Sequence, residues 1–148
     1  MRRTLTKTTD RIIANNLNAW LSQATWRNIC AGKRWYKEAQ SFTKKVSKKY
    51  KVDKYIVAAV VSALSPNNKW IRNKEDAESM IDAFKSGRSI DSFKCCTYNA
   101  NKRKAWAILH EDVTLVAKSP KTHSFAMNIG RLSDKHVTID KWHIRACL

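Results

Sequence analysis

Two residues of this chain have types and positions suited to chemistry. Asp140 stands in HVTIDKWHIRACL, between a β-branched run and a helix-like apolar run, in a protein whose 29 basic residues outnumber 12 acidic ones. Aspartate is a favoured helix N-cap, and that role alone would account for it. A carboxylate fixed at a cap can also stabilise positive charge that builds in a transition state, or align a water molecule. Lys121 follows Ser119 and Pro120 in SPKTHSFAMNI, where serine reads as an N-cap and proline as the first helical residue. Lys121 therefore falls in the first turn of a helix, where the positive dipole end disfavours the ammonium form and is expected to lower its pKa. A neutral amine there is a nucleophile able to form a Schiff base. A protonated one is a phosphate contact or a solvated surface group.

The surroundings are basic throughout. The formal net charge is +17, and the cations are spread along the chain, which points to a charged folded surface. Nucleic acid is the expected partner, double-stranded DNA first. At 43% hydrophobic residues the chain can bury a core. No apolar run approaches the roughly 20 residues of a membrane span. No helix pairs a wholly apolar face with a Lys/Arg face, so a membrane surface is not an expected partner. The opening MRRTLTKTTD is basic, but no apolar stretch follows it as in a secretory signal. A cytoplasmic protein is expected, nucleoid-associated or in a virus-infected host cell. Cys30, Cys95, Cys96 and Cys147 form no C-x-x-C pair, and His110, His123, His136 and His143 show no ligand spacing with them. Reduced thiols are expected, with no metal and no cofactor.

Helical periodicity dominates, and only three Gly and two Pro punctuate the chain, so the fold class is all-α. Helix one spans about Asp10 to Gln23, capped by Thr9 or Asp10, with Ile13, Leu17, Trp20 and Leu21 as its apolar stripe. Gly32 breaks the chain. Helix two then carries Trp35, Ala39, Phe42, Val46 and Tyr50 on one face. Asp53 caps KYIVAAVVSAL, a helix apolar nearly all round that belongs at the centre of a bundle. SPNNKWIRN is a loop. Asn73 caps helix four, whose Ala77, Met80, Ile81 and Phe84 face inward and which Gly87 ends. CCTYNAN leads into KRKAWAIL, and DVTLVA makes one or two helical turns. The Ser119–Pro120 helix follows, then the loop GRLSDKH, extended VTI, and a last helix capped by Asp140. One domain is expected, with residues 1–52 as an N-terminal helical lobe and residues 53–148 as the core.

Three segments of that core stand in a telling order: YIVAAVVSALSPNN, YNANKRKAWAIL and SPKTHSFAMNIGRLSDKHVTIDKWHIR. The arrangement resembles the helix-hairpin-helix superfamily of DNA glycosylases, the group containing endonuclease III and 8-oxoguanine glycosylase. In that family an apolar helix ends in a turn whose residues fill the gap left by a flipped base. A Tyr-x-x-Lys-Ala-like helix start follows, then a hairpin bearing Lys-Thr or Lys-Val. An apolar-apolar-Asp segment comes about nineteen residues later, and here Lys121-Thr122 precedes Asp140 by that interval. VTIDKWHIR is similar to the family's Val-Asp-x-His segment. The family's Gly-x-Gly before the lysine is replaced by AKSPKT. Relatives also continue into further helices, so the first two helices or a second subunit are expected to supply the remaining lobe. The iron–sulphur cysteines of some relatives are absent, and no cluster is inferred.

The resemblance implies a compact multi-helix glycosylase-like domain that flips a damaged or modified base and cleaves its N-glycosidic bond. Asp140 would stabilise the charge on the sugar, and Lys121 would be the nucleophile of an accompanying lyase activity. Leu64, Asn67 and Asn68 would fill the DNA gap. Lys69, Arg72, Lys102, Arg103, Lys104, Ser119, Thr122, Lys135, Lys141 and Arg145 would contact nucleic acid. Trp70 reads as packing between lobes, and Trp106 and Trp142 read as core. Two alternatives stay open: a clamp on DNA or RNA with no chemistry, and an enzyme that flips a base to modify it without excision. The lean Asn- and Lys-rich composition has the flavour of a viral protein. The target base, the choice of DNA over RNA and a homo-oligomeric state are left open by the residues.

Overall fold

The computed structural model describes residues 7–95 and 98–148. The leading MRRTLT, and Cys96 with Thr97 from CCTYNAN, lie outside the described residues. Among the described residues every regular element is helical, as expected. The elements are α1 (Lys7–Ser22), α2 (Trp26–Tyr50), α3 (Lys54–Leu64), α4 (Trp70–Lys85), a 3-10 turn (Ile90–Ser92), α5 (Asn99–Leu109), α6 (Thr114–Ala117), α7 (Pro120–Gly130) and α8 (Lys141–Cys147). No helix among the described residues is long and apolar enough to cross a membrane. Contacts gather the chain into two units: α1, α2 as far as Trp35 and the segment Ile139–Leu148 in one, Tyr36–Thr138 in the other. The division thus falls inside α2, whereas the lobe boundary expected from the sequence falls after residue 52.

The second unit is organised around α3. Every residue from Val57 to Leu64 is buried. A helix without a polar face needs partners on all sides, and α7, α5 and α4 supply them. Asp53 starts it as expected, its carboxylate accepting from the Tyr55 and Ile56 amides at 2.8 and 3.4 Å. Ser62 is the one polar residue in the buried run, and its hydroxyl donates to the Thr122 carbonyl of α7 at 2.6 Å. Thr43 and Gln40 of α2 donate to the Ile129 and Asn128 carbonyls at 2.8 and 3.0 Å, holding the other end of α7. Trp70 stands edge-on between Phe42 and Phe125, with both ring centroids 6.4 Å away, so it joins α4 to α2 and α7. Trp106 is half-buried against Phe84 and Phe93, a packing role as expected.

Several helix ends in this unit share a left-handed stop. The α4 terminus places Gly87 at φ +67°, with Arg88 N–H donating to the Ala83 carbonyl, a Schellman motif at the glycine the sequence marks. The same paired bonds close α5 and α7, and α2 has the outer one, Val52 N–H to the Ser47 carbonyl, but there the left-handed residues are Glu111, Arg131 and Lys51. Gly130 is therefore not the stop of α7 but its last residue. It is glycine for packing: a Cβ built there would lie 3.2 Å from the Ala58 Cβ on α3 and 2.8 Å from Leu132 Cδ1.

Several sequence expectations are corrected. α2 runs unbroken through Gly32, because one glycine costs a long helix only about 1 kcal/mol. α4 begins at Trp70, so Asn73 is not its cap. Asn73 is buried and donates to the Val61 carbonyl at 3.1 Å. α1 is already helical at Lys7, which puts Thr9 and Asp10 inside it. Its expected stripe is not covered: Ile13 is half-buried, while Leu17, Trp20 and Leu21 are exposed. In this first unit α1 packs on α8, with the Asn16 amide donating to the Cys147 carbonyl at 3.0 Å. Trp142 on α8 is exposed and not core.

The same substitution should have opposite effects at the two helical glycines. A Cβ at Gly32 meets nothing within 4 Å. Gly32→Ala should therefore raise stability by about 0.4–1 kcal/mol. Gly130→Ala should lower it by about 1–3 kcal/mol through overpacking against α3. Urea denaturation followed by circular dichroism reads both; a gain at Gly130 would refute the close approach.

Candidate nucleic-acid interface and active site

The first two segments that carry the family resemblance and the start of the third, Ser119–Thr122, meet at one end of the second unit. Ser62 sits in the last turn of α3, so its bond to the Thr122 carbonyl sets the start of α7 beside the loop that leaves α3. In that loop Asn67 takes a left-handed conformation at φ +55° and donates to the Tyr98 hydroxyl at 3.1 Å. Tyr98 is the N-cap residue of α5. Two hydrogen bonds thus join the α3–α4 loop, the start of α5 and the start of α7.

The loop is braced from below. The Asn68 side-chain amide donates to Asp76 Oδ2 at 2.9 Å and to the Leu64 carbonyl at 3.3 Å. Asp76 is a buried carboxylate on α4. Asn67 and Lys69 are exposed and Asn68 is half-buried. Leu64 is fully buried in the core, so it does not reach a DNA gap as expected. Its apolar side chain is held by the burial that fixes α3.

The cations divide by what they already touch. Lys102 donates to the Phe93 carbonyl at 2.8 Å and lies 4.5 Å over that ring, so its ammonium is engaged within the protein. Arg103 is exposed. Lys104 is half-buried: burial pushes its amine below the usual lysine value, and the charge of Lys118 lowers it further. Lys69 is the N-cap residue of α4 and, with Arg72, is exposed. Lys121 is exposed one residue after Pro120 in the first turn of α7. Ser119 occupies the N-cap position with no side-chain cap bond, and the Thr122 hydroxyl donates back to the Ser119 carbonyl at 3.1 Å. Uncapped first-turn amides of this kind can hold an anion. Lys135 is exposed in the segment after α7.

Asp140 belongs to the first unit and Lys121 to the second. Asp140 is the N-cap of α8, its Oδ1 accepting from the Trp142 and His143 amides at 2.8 and 3.1 Å. The same oxygen lies 2.9 Å from His143 Nδ1. At that distance from a carboxylate the ring nitrogen carries the proton, so the 3.4 Å approach of the Asp140 amide to Nδ1 is not a second bond in that tautomer. Burial pushes the Asp140 carboxyl up, but the bonds from the His143 ring and the two amides outweigh it and hold the pKa below the ordinary aspartate value. Asp140 stays ionised and acceptor-only above that value, the state suited to stabilising a cation. Lys141 and Arg145 are exposed and lie 5.5 and 5.0 Å over the Trp142 ring.

Some polar features were not legible beforehand. Asp76 reads as one more polar position of α4, eight residues from the asparagine it holds. His123 and His136 stack edge to face at 5.1 Å, and each has a buried Nδ1 with no hydrogen-bond partner among the described residues. Only the contact between α7 and the segment after it makes them neighbours. Among the described residues no group of three or more His, Cys, Asp or Glu side chains is placed to hold a metal ion.

The chain belongs to the DUF7178 family, a family of unknown function whose model matches residues 1–148. Neither a curated protein nor a solved structure matches it.

The cap gives a pH prediction. A carboxyl whose folded pKa is depressed contributes stability that is complete above the unfolded value and lost as pH falls through the folded one. Carbon-13 NMR of the Asp140 carboxyl should show a midpoint below that of an unperturbed aspartate, and His143→Ala should move it upward. A midpoint unaffected by that substitution would contradict the His143 bond.

Proposed function

We propose that this protein is a base-flipping DNA glycosylase of the helix-hairpin-helix kind, acting on a damaged or modified base in duplex DNA. The observation that carries the reading is the meeting of the α3–α4 loop, the start of α5 and the start of α7 at one end of the second unit through the Ser62–Thr122 and Asn67–Tyr98 bonds. Those segments have the order expected of such an enzyme: a gap-filling loop, a basic helix start and a lysine-bearing helix start. On this reading α6 (Thr114–Ala117), the two residues Lys118 and Ser119, and α7 would stand for the hairpin.

On this reading Asn67 and Asn68 enter the space vacated by the flipped base, with Asp76 bracing Asn68 from behind. The uncapped amides of Lys121 and Thr122 take a backbone phosphate in place of the glycine-rich grip. Arg103, Lys69, Arg72 and Lys135 add phosphate contacts, with Lys141 and Arg145 on the first unit. Cleavage of the glycosidic bond builds positive charge on the sugar, and the first unit, taken by itself, supplies one ionised carboxylate suited to stabilising such charge, Asp140. The Lys121 amine attacks the anomeric carbon of the resulting abasic sugar to give a Schiff base, with loss of water. Lys104 on α5, whose amine is pushed down by burial, is the alternative amine nucleophile.

Borohydride trapping on duplex DNA with an abasic site tests the lysine role without knowledge of the target base. A covalent adduct lost in Lys121→Ala is the expected result. An adduct that survives Lys121→Ala and is lost in Lys104→Ala moves the nucleophile. No adduct in any variant removes the lyase step. Asp140→Asn should then abolish base release from damaged DNA while leaving binding intact, and loss of binding with it would reduce Asp140 to a cap. Duplex binding should also weaken steeply with salt. For about five neutralised phosphates the slope of log affinity against log salt is about −4.5. A flat response would contradict the nucleic-acid reading.

A further inference from the structure

The first unit leaves an unusual set of side chains in solvent. Trp20, Trp26 and Trp142 are 61%, 75% and 62% exposed. Tryptophan is normally well covered, and exposed apolar surface of this kind marks a binding surface. All three belong to the first unit. Cations accompany two of them. Arg27 follows Trp26 in the chain, and Lys141 and Arg145 lie 5.5 and 5.0 Å over the Trp142 ring.

We propose that the first unit is a stacking surface for single-stranded nucleic acid, on which Trp142 and Trp26 take unpaired bases while Lys141, Arg145 and Arg27 take the flanking phosphates. Charge complementarity selects this occupant. The described part of the unit has only Asp10 and Asp140 as acidic residues, and Asp140 is engaged at its cap. A second copy of a chain carrying +17 would bring like charge to like charge. An anionic bilayer requires a helix with a continuous apolar face. α8 has seven residues, and the apolar arc of α1 is broken by Asn16, whose amide is bonded to the Cys147 carbonyl of α8. Exposed indoles interleaved with cations fit a strand whose bases offer π-faces and whose backbone offers negative charge. The inference rests on the nucleic-acid part of the proposed function and not on its glycosidic chemistry.

Tryptophan fluorescence of the full chain, titrated with oligothymidylate at low salt, tests it. Binding should quench emission. Trp142→Ala should weaken affinity about tenfold, as should Trp26→Ala, within the range that one stacked base contributes. Trp142→Phe, which keeps a stacking ring, should retain most of the affinity. Inorganic polyphosphate should bind more weakly than oligothymidylate. Both indoles are exposed, so the variants should keep the wild-type circular dichroism, which is checked first. Unchanged affinity in the double alanine variant would overturn the proposal, as would equal binding of polyphosphate. So would a preference for phosphatidylglycerol vesicles, or self-association in sedimentation that is lost with the tryptophans. If oligothymidylate binding depends on the tryptophans while abasic duplex gives no trapped adduct, this surface stands and the lyase step falls.

Discussion

A helix with no polar face sets the terms for the rest of the molecule's second unit. α3 buries every side chain from Val57 to Leu64. Full burial of a single Val or Leu is worth about 1.5–3 kcal/mol. That gain is available only if other helices cover α3 on all sides, which α4, α5 and α7 do. Small residues decide how closely they come. Ala58 faces Gly130, and the absence of a Cβ at Gly130 lets α7 pass at a distance that any other residue would widen. The polar exception, Ser62, spends its hydroxyl on the Thr122 carbonyl, so the one hydrogen-bonding group in the buried run also fixes where α7 begins.

The candidate site follows from that packing. The end of α3 has to be followed by a turn, and the turn has to clear the neighbouring helix starts. Asn67 makes it in a left-handed conformation that asparagine tolerates better than most residues. Its amide reaches Tyr98, and Asn68 is held by the buried Asp76. The polar ends of three helices are thereby set around a loop braced by a carboxylate. On the proposed reading, the uncapped amides, the exposed Asn67 and the neighbouring cations are what would grip and open a duplex.

Much of this was legible in the residues, for reasons that can be named. α3 was visible because its apolar run is unbroken and Asp53 sits where a cap belongs. The Asp140 cap was visible for the same reason, and the amides of Trp142 and His143 do close on it. The helix ends were less legible. Only Gly87 announces a left-handed residue, while Lys51, Glu111 and Arg131 adopt that conformation because Schellman bonds and packing demand it. Gly32 and Gly130 misled in the same way, since neither is used for its backbone freedom. The apolar stripe of α1 could not be placed from periodicity, which does not say whether a partner covers it, and Trp20 and Leu21 are mostly exposed. Leu64 was read as a surface wedge because it stands next to the loop, yet it is the last member of the buried run.

On the proposed function, the α3–α4 loop, the start of α5 and the start of α7 act as one duplex-gripping surface. Amide chemical-shift mapping on the isotope-labelled protein, titrated with duplex DNA containing an abasic site, tests it most directly. The account predicts that the largest changes cluster at Asn67–Lys69, at Tyr98–Arg103 and at Ser119–Thr122, and saturate together. Changes confined to other faces of the second unit, or three segments that respond at different DNA concentrations, would contradict it.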